Sequence, residues 1–220
     1  TYLKPELEKY GFEVKTTRPK VTDDPALSAR GKMAAGHDLI ISLHSNAPAN
    51  ASDTKPTGSV IFRTIETPKI KPLCDKIGKR ISDIMGHHYR GTMTKESGSR
   101  PGKNYNGVLR NAMASGCKAG MLIEHGFHTN LSDSAFLIVD ANLKKLAVAE
   151  AEIIAEHYGY KKGGETEDMV YRTLRHGMEG EDVGFVQRFL GVQGFYSGPV
   201  DNRFGPGQGF LNAVKSFQKA

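Results

Sequence analysis

Long apolar runs and dense clusters of like charge are both missing from this 220-residue sequence. The longest apolar stretches, residues 39–43 and 121–123, have the length of a buried strand. A helix that spans a bilayer needs about 20 such residues. We therefore expect a chain that folds without membrane insertion.

Cysteine is also scarce, since only Cys74 and Cys117 are present. Two residues are too few for a disulfide framework, and they form no CxxC pair. The sequence favours two buried thiols in a reducing compartment, and a single bridge between them is the alternative.

The N-terminus lacks Met and the basic and apolar segments of a signal peptide. Leu3, Leu7 and Tyr10 already share one helical face, and Gly11 ends that helix. We therefore expect the chain to be a fragment that begins inside a helix.

The charge is basic but diffuse, with 30 Lys and Arg against 24 Asp and Glu, a net charge of +6. Such a surface favours polyanions, including nucleic acid, an anionic membrane and the teichoic acid of a cell wall. A merely soluble basic surface explains the charge equally well. Because no basic stripe with stacking aromatics is present, we do not expect nucleic acid to be the partner.

Strand and helix patterns alternate along the first 160 residues. The predicted strands are 12–18, 38–44, 58–63 and 119–123, and the predicted helices are 23–36, 68–86 and 142–158. The run at 38–44 is nearly continuous, which is typical of a strand buried on both faces. The Gly- and Ser-rich residues 97–106 predict a loop. The alternation predicts an α/β fold with a mostly parallel twisted sheet flanked by helices.

A polar, Gly-rich stretch at residues 161–168 predicts a linker between two domains, at 1–160 and 169–220. The second domain has two apolar helical stripes separated by a Gly-Pro-rich turn at 198–207. The stripes consist of Val183, Val186, Phe189 and Leu190, and of Phe210, Val214 and Phe217. We expect a small helical domain of about 50 residues, which is near the lower limit for an independent core.

Two predicted strands lead into reactive side chains, His44 on the first and Glu124 on the second. Ligands of open α/β sheets bind beyond the carboxyl ends of the strands, where these side chains would converge. Imidazole is a common zinc ligand, and a carboxylate can move a proton from water to a leaving amine. The residues alone leave two alternatives, a metal site or a core histidine beside an ordinary ion-pair partner.

The segments around both residues resemble motifs of the zinc-dependent N-acetylmuramoyl-L-alanine amidase family (type 3). SLHSN at 42–46 is similar to the family's S-x-H-x-N element, and EHGFHTN at 124–130 is similar to its E-x-G-F-x-[ST]-N element. The resemblance covers about residues 1–158. It implies that His44 ligates Zn²⁺ and that Glu124 is the catalytic glutamate of an enzyme that hydrolyses the N-acetylmuramoyl–L-alanine amide of bacterial peptidoglycan.

The family has two further zinc ligands, a histidine after its first strand and a glutamate on its first helix. The resemblance places both before Thr1. It also makes the loop at 97–109 a wall of the substrate groove, although a solvated loop is the alternative. The expected substrate contacts are Asn46, Arg100, Lys103 and Asn104. His125 and His128 occupy variable positions of the second motif, where contact with substrate or solvent is expected, and a role as spare metal ligands is the alternative.

Residues 180–218 resemble a peptidoglycan-binding domain of three small helices, through its G-x-D-V-x-x-[LV]-Q and G-P-V-D-x-x-F-G-P elements. The implied partner is bacterial peptidoglycan. The two resemblances together imply a wall-lytic endolysin or autolysin that acts at the cell wall, either secreted or cytoplasmic until release. A non-catalytic peptidoglycan-binding protein, or an inactive fragment, is the alternative.

Overall fold

The structure is a computed structural model that describes residues 2–20, 22–160, 174–205 and 208–219. The chain divides into two units, Thr1–Thr166 and Glu167–Ala220. The predicted linker at 161–168 lies outside the described residues. None of the described helices is long and apolar enough to cross a membrane.

The first unit is built on a sheet in which the described strands follow the order β1-β6-β2-β3. β1 pairs with β6 and β2 with β3 in parallel, while β2 and β6 are antiparallel. The strands are β1 (Ile40–Asn46), β2 (Ser59–Arg63), β3 (Tyr89–Met93) and β6 (Gly120–Phe127). A separate hairpin consists of β4 (Glu96–Ser97) and β5 (Arg100–Asn104). The mostly parallel α/β fold is thereby confirmed.

Helices cover both faces of this sheet. They are α1 (Leu3–Glu8), α2 (Leu27–Lys32), α3 (Lys71–Met85, after a 3₁₀ turn at Pro68–Ile70), α4 (Gly107–Ala114), α5 (Leu131–Leu137) and α6 (Asp140–His157). Successive residues of a strand point to opposite faces. On β6, Ile123 accordingly joins the core formed with α1, α3 and α6, whereas Leu122 joins the core formed with α4 and Ala34.

The two cysteines lie on opposite sides of the sheet, Cys74 in the first of these cores and Cys117 in the second. Both are free and buried. The prediction of two buried thiols is therefore confirmed, and the alternative of a bridge is wrong.

The predicted strand at 12–18 is wrong, because these residues form no ladder with any described segment. Phe12 and Val14 instead pack against the core from an irregular stretch. An alternating pattern reports which side chains are buried, and a strand also needs a partner for its backbone groups.

Other boundaries also differ from prediction. β1 is not buried on both faces, because it is the edge strand of the described sheet and most of its residues are partly or fully exposed. α2 begins only at Leu27, since Asp23 accepts a hydrogen bond from the Lys20 backbone N–H and Asp24 pairs with Arg30. The predicted loop at 97–106 contains most of the β4–β5 hairpin.

The second unit contains α7 (Glu181–Val192) and α8 (Gln208–Phe217), as the two apolar stripes predict. Val183, Leu190, Phe204 and Phe210 form the centre of its small core. Gln187 is 1% exposed. Its amide donates to the carboxylate of Asp201 and to the carbonyl of Arg203, and its oxygen accepts from two backbone N–H groups of the same turn. The Gln and Asp of the two resembled elements are thus partners that hold the turn against α7.

Candidate active site

His44 and Glu124 are direct register partners on the neighbouring parallel strands β1 and β6. Neighbouring strands lie about 4.8 Å apart, and register partners point to the same face. Both residues lie toward the carboxyl ends of their strands, where ligands of α/β sheets bind. His44 is exposed and Glu124 is half-buried, so neither is enclosed in an apolar layer.

A register shift follows this pair, because Asn46 faces Phe127 and residues 125 and 126 of β6 together oppose Ser45. Such a bulge bends the strand and redirects the side chains beside it. Bulges of this kind are common next to active sites. The geometry leaves Glu124 at the open end of the sheet, where the ladder becomes irregular.

The Glu124 carboxylate has an unused acceptor, since its Oε2 atom is buried and has no hydrogen-bond partner among the described residues. Burial raises the pKa of Glu124 above its ordinary value, and the nearby charges of His125 and His128 act in the opposite direction. A carboxylate with a raised pKa and a free oxygen is suited to accept a proton from a bound water.

The His44 ring contacts its own strand, with Nε2 3.0 Å from Ser42 Oγ. Loss of solvent around the ring lowers its pKa, and the charges of Arg30 and His125 act in the same direction. A lowered pKa keeps the imidazole neutral near pH 7, which is the form that ligates metals.

His125 lies behind the pair and bonds to the protein on both ring nitrogens. Nδ1 is 3.0 Å from the His44 carbonyl oxygen, and Nε2 is 2.7 Å from Glu150 Oε1. His125 is 9% exposed and Glu150 2% exposed. Burial acts to lower the pKa of His125, but Glu150, the His44 carbonyl and the charge of Glu124 together outweigh burial, and the pKa is raised. The expected contact of His125 with substrate or solvent is therefore wrong.

Sequence reasoning missed Glu150. The available signal is its position in α6, where it is a charged residue on a stripe formed by Leu146, Ile153 and Ile154. An acidic side chain on an apolar stripe indicates a buried partner.

Several residues in and just after the second motif make structural contacts. Asn130 caps α5, because its side chain accepts from the backbone N–H groups of Ser132 and Asp133. Asp133 is 3% exposed and accepts hydrogen bonds from the Phe127 N–H and the Thr57 hydroxyl. These contacts hold the end of β6 and the segment before β2 together. His128 donates its backbone N–H to the Asn46 carbonyl, and its Nδ1 is 3.1 Å from Ser45 Oγ.

A catalytic zinc ion generally requires three protein ligands and one open position. Within the described ranges, no group of three or more His, Cys, Asp or Glu residues is placed to hold a metal ion. His125 points to Glu150, and His44 is the one donor that the resemblance assigns. The described residues therefore do not fit a zinc site by themselves.

The expected substrate residues on the hairpin lie away from Glu124. Asn104 is 2% exposed, accepts from the Ile65 N–H and donates to Glu66, so it ties the hairpin to the segment after β2. That segment lies near the start of β6, because Arg63 pairs with Met121. The three residues from Met121 to Glu124 span about 10 Å at about 3.3 Å per residue.

Arg100 and Lys103 line a cleft of about 580 Å³ together with Glu66 and the C-terminal half of α4. Neither side chain has a hydrogen bond or ion pair to a described residue. The structure thus places this basic cleft near the start of β6 and does not bring it to the His44–Glu124 pair. Asn46 does lie beside the pair, half-buried, with its side-chain oxygen accepting from the Ala47 N–H.

The sheet topology, together with the Glu124 carboxylate near the carboxyl ends of the parallel strands, defines an α/β protein with a hydrolase-like site. A sequence model of the N-acetylmuramoyl-L-alanine amidase family matches residues 1–156. The chain belongs to that family, and membership supports a peptidoglycan amidase activity. A comparison with curated proteins found no match.

Solved structures share the fold. Cwp6 from Clostridium difficile is 25% identical with a TM-score of 0.60, and the match covers 70% of this chain but only 23% of Cwp6. An N-acetylmuramoyl-L-alanine amidase from Clostridium difficile 630 is 21% identical with a TM-score of 0.55, covering 72% and 81% of the two chains. AmiC2 of Nostoc punctiforme, also an N-acetylmuramoyl-L-alanine amidase, is 19% identical with a TM-score of 0.56, covering 72% and 79%.

Proposed function

We propose that this chain hydrolyses the amide bond between the lactyl group of N-acetylmuramic acid and the L-alanine of the peptidoglycan stem peptide. The observation that carries the proposal is the unpartnered Oε2 of Glu124, opposite His44 at the carboxyl end of the parallel strand pair. Family membership supplies the substrate class.

Glu124 acts as general base and then as general acid. It takes a proton from a water molecule as the water oxygen attacks the lactyl carbonyl carbon. When the carbon–nitrogen bond breaks, the same proton passes to the leaving nitrogen of L-alanine, so the products are a carboxylic acid and a free amine. A pKa raised toward the working pH favours both transfers.

We propose that Zn²⁺ supports this activity with His44 as one ligand, because the family is generally zinc-dependent. When bound, the ion would polarise the carbonyl and lower the pKa of its water. The test is the zinc content of the purified chain. Stoichiometric zinc that is lost in His44→Ala supports the proposal, and equal zinc in both proteins contradicts the role of His44.

The hydrolytic test uses purified sacculi with added zinc. We expect new N-terminal L-alanine without new reducing sugar ends. The variant Glu124→Gln should lower the rate at least about 100-fold, the scale of a lost general base, while the exposed Glu152→Gln should behave as wild type. Reducing ends would indicate glycosidase activity, and full activity of Glu124→Gln would refute its assigned role.

A non-catalytic peptidoglycan-binding protein is the second candidate. The absence of a three-donor cluster among the described residues favours it. It predicts binding to sacculi, no bound zinc and no release of L-alanine when zinc is added. The amidase proposal predicts bound zinc and release of L-alanine.

We also propose that the second unit binds peptidoglycan and keeps the first unit at the wall. The supporting observation is the Gln187–Asp201 pairing, in which the residues of both resembled elements are structural partners. Tethering raises the local substrate concentration without a new contact at the active site. The enzyme would act at the bacterial wall as an endolysin or autolysin.

A further inference from the structure

His125 and Glu150 form a buried pair directly behind the candidate active site. Glu150 projects from α6, and His125 belongs to β6 immediately after Glu124. The pair joins three elements, because the ring also bonds to the main chain of β1 at His44. These are the two strands that carry His44 and Glu124.

The chemistry of the partners determines the direction of each bond. The His44 carbonyl can only accept, so Nδ1 of His125 carries a proton and donates to it. An ionised Glu150 carboxylate accepts from Nε2, and in that state both ring nitrogens donate and the bond is charge-assisted. A buried pair of this kind is costly to break, because either partner alone would be left unpaired in the core.

The location of the bond to His44 gives the pair a function beyond packing. The strand ladder keeps its regular register up to His44–Glu124 and shifts immediately afterwards. β1 is also the edge strand of the described sheet, so its end pairs with β6 on one side and gains two contacts from His128 just beyond β6. The ring of His125 supplies one more bond from β6 to β1, at the main chain of the residue that must face Glu124.

We propose that His125 is a positioning residue, held by Glu150, that keeps the main chain of His44 aligned with Glu124 at the irregular end of the ladder. This inference rests on the proposed function for its catalytic consequence. Its structural content can be measured without catalysis.

Two substitutions separate the two bonds of the ring. His125→Asn places an amide nitrogen near the position of Nδ1 and retains the bond to the His44 carbonyl. His125→Gln places one near Nε2, so it retains the bond to Glu150 and loses the bond to His44. Glu150→Gln keeps an acceptor for Nε2 and tests the pair with little change in shape.

The control is Ser82→Ala. It removes a buried hydroxyl pair, Ser59 Oγ to Ser82 Oγ at 2.8 Å, between β2 and α3. Ser82 is 5% exposed, and its hydroxyl bonds to Ser59 of β2. It therefore reports the effect of losing a buried polar contact away from the His44 end of the sheet.

The first measurement is amide hydrogen exchange of the full chain. In His125→Gln, amides of residues 43–46 should exchange at least about ten-fold faster relative to those of α4, and in His125→Asn and Glu150→Gln they should change less than about three-fold. Ser82→Ala should leave this ratio unchanged. Equal ratios at 43–46 in His125→Gln and His125→Asn would overturn the proposal.

The second measurement is the rate of L-alanine release from a soluble muramoyl peptide. His125→Gln should lower kcat about ten-fold with little change in KM, because alignment of reacting groups is lost while binding surfaces remain. A rise in KM alone would contradict positioning. If wild type releases no L-alanine but the exchange pattern holds, the proposed function fails and the alignment role of His125 stands.

Discussion

The carboxylate of Asp133 occupies the space that a side chain at Gly126 would need. A Cβ atom on Gly126 would lie 2.9 Å from Asp133 Oδ2 and 3.0 Å from its Cγ. We expect Gly126→Ala to lower the free energy of unfolding by about 1–3 kcal/mol, the usual cost of overpacking. Gly98→Ala is the control, because a Cβ there meets nothing within 4 Å. Urea denaturation measures both, and equal midpoints would contradict the contact.

Asp133 itself should be sensitive to loss of charge. Its two oxygens accept from the Phe127 N–H at 2.8 Å and from the Thr57 hydroxyl at 2.8 Å. Asp133→Asn turns one acceptor into a donor, and we expect a loss of about 1–3 kcal/mol. Asp83 is exposed, so Asp83→Asn should change the free energy of unfolding, measured by urea denaturation, by less than about 0.5 kcal/mol.

The raised pKa of Glu124 predicts a pH-dependent gain in stability when the residue is replaced. A carboxyl whose pKa is higher in the folded state than in the unfolded state favours folding at low pH, and this contribution is lost as pH rises through the folded pKa. Glu124→Gln should therefore have a higher urea midpoint than wild type at pH 7. The gain should vanish below about pH 4, where the carboxyl is protonated in both states. A variant that is less stable than wild type at pH 7 would contradict the shift.

Both thiols should be inert in the folded chain. Burial raises the pKa of Cys74 to about 12 and also raises that of Cys117. Because the thiolate is the reactive form, a colorimetric thiol reagent near neutral pH should detect no thiol before denaturation and both afterwards. Rapid modification of either cysteine in the native protein would show that it is accessible.

Gln187 should be essential to the second unit. Gln187→Ala leaves the backbone N–H groups of Asp201 and Asn202 without their acceptor. A unit of this size has little stability to lose. We therefore expect the second unit to lose its thermal transition and its binding to sacculi, while the thermal transition of the first unit remains. The exposed Gln193→Ala should retain both. If Gln187→Ala still binds sacculi, wall binding does not depend on the turn that Gln187 holds.

Several local features could be predicted from short stretches of sequence. The helices at 71–85 and 140–157 and the strand at 59–63 follow from apolar spacing, because the period of burial is a local property. The segments 12–18 and 97–106 could not be assigned correctly, since a strand exists only where a distant segment satisfies its backbone groups. Sequence spacing also could not show that Arg100 and Lys103 lie near the start of β6, because that depends on β2 running antiparallel to it.

The amino-acid sequence by itself determined the α/β class, the two reactive residues and the family to which the chain belongs. Apolar periodicity and short motifs depend only on residues that are close together in the sequence. Only the tertiary structure decided that His44 and Glu124 are register partners, that the buried Asn104 bonds to the Ile65 backbone, and that His125 bonds to Glu150. These contacts join residues 25 to 80 positions apart. Their geometry is set by strand order and pleat, which no local pattern encodes.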